Sequence, residues 1–216
     1  MNKLLLQLSK NELIEIIADN NIDFKKVDFC CGDMKAYFVD KQQLRIGQQT
    51  AGLLFEALIG VLRRVINGTL QLDESIIENL GLMYNEYFHD LPLKKPKFVM
   101  IPTSDGTSRY WIGYNYQIWS TYKDANPYVN TWMYNDSEGN IIFEVTKFYK
   151  WSTQEDDLED PEYETYEEFM KKFKPLIHRV IPRDVAIEWL DQSMKVYRGF
   201  FSTEENYIRS CKELNW

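Results

Sequence analysis

Between Lys97 and Trp151 the chain carries four segments that read as β-strands, dense in Tyr and Trp and separated by turn signals. Phe98-Val99-Met100-Ile101 is a continuous apolar run, the pattern of a strand buried on both faces. Ser104-Asp105-Gly106-Thr107 follows as a turn, and Tyr110 to Tyr122 reads as one long strand. Asp124-Ala125-Asn126-Pro127 turns the chain into a third strand, Tyr128 to Tyr134. Asp136-Ser137-Glu138-Gly139-Asn140 is a hairpin turn with glycine where a positive φ is needed, and Ile141 to Trp151 is the fourth strand. Strands joined by short turns can only form an antiparallel meander, since a parallel neighbour needs a long crossover.

Helical patterning surrounds this sheet. In Gln48 to Asn67, Leu54, Leu58, Val61, Leu62 and Val65 recur at spacings of three and four, and Asn67-Gly68 supplies the stop. Gly52 and Gly60 lie eight apart near one face and are expected to mark close packing. Asp73 to Phe88 is a second helix with Asp73 as its cap, and Leu91 to Pro96 a proline-marked connection. After the sheet come helices from Tyr163 or Thr165 to Lys174, Arg183 to Val196 and Thr203 to Leu214. At the other end, Ser9-Lys10-Asn11-Glu12 fits a capping box and predicts a helix from Lys10 to Asp19. Phe24 to Val39 alternates and reads as extended, with a hairpin turn at Gly32-Asp33. Helices and strands are segregated along the chain, so the expected class is α+β: an antiparallel meander of about 4–6 strands flanked by helices, in a single domain over residues 1–216.

Charge is distributed unevenly. Glu155, Asp156, Asp157, Glu159, Asp160, Glu162, Glu164, Glu167 and Glu168 are nine acids with no Lys or Arg among them. The chain has 33 acids and 25 bases, so removing these nine leaves 24 acids against 25 bases. The net charge of −8 therefore resides in this one stretch. A solvated loop is one reading of such a run. The other is a docking face for a basic protein partner, with Tyr163 and Tyr166 as anchors among the acids. Nucleic acid is not expected as a direct partner, because phosphates are repelled.

The aromatic strands are the second candidate. Trp111, Trp119 and Trp132 are expected to be covered by helices; were their face open, Asn115, Gln117 and Asn130 beside them would complete a surface for sugars or a protein. Catalytic and metal signatures are missing from the sequence. His89 and His178 stand in no metal-ligand spacing, and no phosphate-binding loop or nucleophile elbow occurs. No cofactor and no metal is expected. Cys30, Cys31 and Cys211 make an odd count with an adjacent pair, which suits reduced thiols. No apolar run is long enough for a signal peptide core or a membrane span, so the expectation is a cytoplasmic protein without membrane contact.

In charge and general architecture the chain is similar to bacterial immunity proteins, small acidic α+β proteins that neutralise a cognate toxin. That resemblance implies stoichiometric, non-catalytic blockade, with the acidic segment meeting the basic groove of a partner such as a nuclease toxin. The competing expectation is an enzyme or small-ligand binder, for instance of carbohydrate, with a pocket beside the aromatic sheet.

Overall fold

A computed structural model describes residues 3–18, 32–89, 91, 97–103, 106–121, 125–151 and 160–216. The fold is α+β, with two four-stranded antiparallel sheets, a two-stranded ribbon and five α-helices among the described residues.

The first sheet is a meander of β1 (Lys3–Ser9), β2 (Glu12–Ala18), β3 (Asp33–Val39) and β4 (Gln43–Thr50). Leu4, Leu6, Ile14, Ile16, Met34, Ala36 and Phe38 alternate along β1 to β3 and are all buried on one face. This corrects the helix expected from Lys10 to Asp19. Ser9 pairs with Glu12 across a tight turn, and the contact between the Ser9 hydroxyl and the Glu12 carboxylate belongs to that hairpin rather than to a helix cap. Isoleucines at 14, 16 and 17 suit a pleated surface better than a helix, and Leu4 and Leu6 continue their alternation. The hairpin expected around Gly32-Asp33 lies largely outside the described residues; its second arm is β3.

From β4 the chain enters α1 (Ala51–Ile66), whose apolar face is buried throughout. Its end is a Schellman motif: Thr69 N–H donates to Arg64 O and Gly68 N–H to Val65 O, with Gly68 at φ +69°. Helix α2 is shorter than expected, Leu80–Phe88, and its N-cap is Asn79 rather than Asp73. Asp73 instead closes a local turn, accepting from the Ser75 N–H and hydroxyl.

The second sheet has the order β10-β9-β8-β7, from β7 (Gln117–Ser120), β8 (Val129–Asn135), β9 (Ile141–Lys147) and β10 (Ile177–Ile181). The expected meander is present as β7 to β9. The long strand expected from Tyr110 to Tyr122 is broken into β6 (Gly106–Trp111), a 3-10 turn (Ile112–Tyr116) and β7. The turn folds back over Trp111, and a Cβ at Gly113 would lie 2.2 Å from that ring. Among the described residues β5 (Phe98–Thr103) pairs only with β6. A two-stranded ribbon has no second layer, so Met100 (62%) and Ile101 (41%) are exposed, against the expectation of a doubly buried strand.

The two sheets meet where β4 crosses β7 and β8. Thr131 Oγ1 donates to Ile46 O at 2.7 Å, and Phe38 stacks on Phe143 at 6.2 Å. On the far side lies α4 (Arg183–Arg198), packed on α1 and β1, with Trp189 Nε1 donating to Gln7 O. Helix α3 (Tyr166–Lys172) precedes β10, and α5 (Glu204–Glu213) ends the chain. One apolar cluster runs through both sheets, α1, α2 and α4. Among the described residues no helix is long and apolar enough to cross a membrane.

Candidate functional site

The acidic segment is built onto the end of the second sheet by α2. Buried Asn85 donates from Nδ2 to Lys147 O at 3.2 Å and accepts the Tyr149 N–H on Oδ1 at 2.7 Å. His89 Nε2 lies 3.1 Å from Tyr149 O. These bonds fix the backbone where β9 ends, and the chain beyond makes its own small core of Tyr149, Trp151 and Phe169. Tyr163, Tyr166, Met170 and Phe173 pack around it. The Tyr149 hydroxyl donates to Glu164 O at 2.9 Å, and Thr165 caps α3 in a full capping box with Glu168. The Thr165 N–H and hydroxyl hold the Glu168 carboxyl below its usual range.

Tyr163 and Tyr166 are therefore not presented to solvent as free anchors. Their rings turn inward, Tyr163 to Trp151 at 5.8 Å and Tyr166 to Tyr149 at 5.2 Å. Burial pushes the Tyr166 hydroxyl up to about 12. What the segment shows outward is carboxylate: Glu162, Glu167 and Glu168 are exposed, and Asp160 and Glu164 are half-buried. Asp160 accepts the Glu162 N–H, and Glu164 pairs with Lys172 at 3.1 Å. Beside them a cavity of about 170 Å³ is lined by Tyr128, Lys147, Lys150, Trp151, Glu162 and Glu164 among others. The Lys150 ammonium lies over the Trp151 ring at 4.0 Å, a cation–π contact that screens part of this wall. Glu155, Asp156, Asp157 and Glu159 lie outside the described residues.

The aromatic strands present no such face. Trp111, Trp119 and Trp132 are 0%, 1% and 0% exposed, which removes them as a binding surface. The second sheet is covered on both sides: Trp119 Nε1 donates to Leu54 O of α1, while Trp132 meets Tyr84 of α2 edge-on at 5.5 Å. Even the amides nearby are used internally, Gln117 Nε2 donating to Asn130 Oδ1 at 2.8 Å.

One polar cluster was not legible in the sequence. Glu144 is buried in β9, yet its Oε2 lies 3.0 Å from His178 Nδ1 of β10 and its Oε1 accepts from Asn79 Nδ2 at 2.8 Å. Because Asn79 is also the N-cap of α2, this carboxylate ties β9, β10 and α2 together. The three residues are separated by 65 and 34 positions, so no spacing rule could have joined them. Cys211 is a free, half-buried thiol, while Cys30 and Cys31 lie outside the described residues. No group of three metal-ligating side chains occurs among the described residues.

A second concavity of about 440 Å³ lies on the outward side of α1, against the 3-10 turn and the residues after α5. Glu56 is its acidic group. Burial raises its carboxyl above the ordinary value of 4.5, against the opposing pull of the Tyr197 hydroxyl, which donates to Oε1 at 3.0 Å. A folded-state value raised above the unfolded one favours folding at low pH and is lost as pH rises through it. Glu56→Gln, which keeps an acceptor for Tyr197, should thus melt above wild type at pH 7. That advantage should vanish at pH 4; an equal gap at both pH values would show that burial of the charge is not its cause.

No protein-family model matches the chain, and no curated protein and no solved structure is significantly similar to it.

Proposed function

We propose that this chain is a non-catalytic interaction protein that binds a basic protein partner through its acidic segment, as an inhibitor of the immunity-protein kind directed at a cationic toxin such as a nuclease. One observation carries this reading: the described part of the acidic segment is anchored, not loose. Its aromatic side chains and backbone are tied to α2 and the end of β9, which leaves the carboxylates as its outer surface. Charges held in place cost less conformational freedom on binding than charges on a free loop. A surface on which carboxylates predominate, even with Lys150 and Lys172 paired among them, also steers an oppositely charged partner and accelerates encounter. Blockade follows by occupancy, with carboxylates standing where the phosphates of a nucleic-acid substrate would otherwise sit.

Tagged protein recovered from its host should bring down a basic partner in equal stoichiometry. Reversal to Lys at Glu155, Asp157, Glu162 and Glu167 should slow association at low salt at least about tenfold and flatten its salt dependence. These four avoid the capping box, so circular dichroism should be unchanged. An acidic partner, or association rates indifferent to the reversal, would sink this reading.

A further inference from the structure

Gly60 stands in the middle of α1, where glycine weakens a helix relative to alanine. Packing does not demand it: an added Cβ would meet only Trp216 Nε1, at 3.8 Å, an ordinary contact. The expectation that this glycine marks close packing is not met. What the missing side chain does is leave open the floor of the 440 Å³ cleft beside α1, a volume in the usual range of small-molecule sites.

The chemistry along that floor is ordered. Glu56, Gly60 and Arg63 follow at spacings of four and three and share one stripe of the helix. Glu56 commits Oε1 to Tyr197, and its Oε2 has no partner among the described residues. Arg63 is half-buried, its carbonyl accepts the Asn67 N–H, and its guanidinium makes no hydrogen bond or ion pair with any described residue. Beside it Arg64 is pinned, donating from Nη2 to Asn115 O at 2.7 Å, and burial lowers its guanidinium. Tyr114 and Trp216 stand on the walls. The cleft thus has an acidic end, an uncharged floor and a cationic end. Glu56 and Arg63 lie seven residues apart, a rise of about 10 Å along the helix axis.

We propose that this cleft binds a short zwitterionic peptide of about three residues, its ammonium at Glu56 and its carboxylate at Arg63. An extended tripeptide spans about 10 Å, comparable with the rise along α1 from Glu56 to Arg63. A guanidinium receives a carboxylate through paired N–H donors, and the free Glu56 oxygen accepts from an ammonium. The glycine floor lets the peptide backbone approach the helix. The site shares no residue with the acidic segment.

Tri-alanine titrated into the full chain at pH 7 by calorimetry tests this. The free peptide should bind, and its N-acetylated and C-amidated forms should each bind about tenfold more weakly or worse. Arg63→Gln should weaken tri-alanine about tenfold and leave the amidated form unaffected; Glu56→Gln should do the same for the acetylated form. Gly60→Leu should abolish binding while the far-ultraviolet spectrum stays native, and Gly60→Ala should raise the melting temperature. No binding of tri-alanine, equal binding of the blocked peptides, or indifference to Arg63→Gln would each overturn the proposal.

Discussion

Trp119→Ala is expected to remove about 3–5 kcal/mol of stability, the range for deleting a buried indole. With total stabilities of about 5–15 kcal/mol for domains, that is a large share of what holds the chain folded. The effect is large because Trp119 joins three layers. Its ring is 1% exposed, its Nε1 donates to Leu54 O at 3.0 Å in α1, and it lies directly over Gly47 of β4. A Cβ at Gly47 would come within 2.7 Å of Trp119 Cβ, so β4 and β7 already cross as closely as backbone allows. Deletion leaves a void that these layers cannot close without sliding past one another. Urea unfolding of the two proteins measures the loss; a change under about 1 kcal/mol would mean that the sheets are not held together through this ring.

Gly81→Ala is expected to cost about 1–3 kcal/mol through overpacking, although alanine is the better helix former. The added Cβ would fall 2.1 Å from Thr146 Oγ1 and 2.5 Å from its Cβ, where α2 rests on β9. Thr146 cannot simply turn away, because its Oγ1 accepts the buried Trp132 Nε1–H at 2.9 Å. Rotation would leave that N–H unpaired, at a further cost of about 1–3 kcal/mol. Gly60→Ala is the control, since the same substitution in α1 has ordinary room and should stabilise. If Gly81→Ala raises the melting temperature as Gly60→Ala does, helix propensity and not contact geometry governs α2.

Several elements were legible because their signals are local. The turn at Asp136 to Asn140 appears as expected, with Asp136 accepting from Glu138 and Asn140 N–H and Gly139 at φ +84°. The apolar stripe of α1 and its Asn67-Gly68 stop also appear. The N-terminal hairpin was misread because Leu13, Ile16 and Ile17 satisfy helical spacing as well as Ile14 and Ile16 satisfy alternation. Only pairing with β1 and β3 separates the two. β10 was missed because His178-Arg179-Val180 offers no clean pattern, and its strand state comes from pairing with β9 more than thirty residues earlier.

The candidate sites divide in the same way. Composition alone located the net charge of −8 in residues 155–168, since charge needs no contact to be counted. Which side chains of that segment face inward was decided by Tyr149, Trp151 and Phe169, which draw Tyr163 and Tyr166 into a core of their own. For the tryptophans, the sequence favours burial under helices without identifying the covering elements; α1, α2 and β4 are those elements. The cleft beside α1 exists only because the chain returns, some 150 residues after Gly60, to set Trp216 above it. Turns, caps and amphipathic stripes depend on neighbours two to four residues away and can be read along the chain. Burial, hydrogen-bonded clusters such as Glu144 with Asn79 and His178, and clefts depend on which distant segment covers a face, and only tertiary structure determines that.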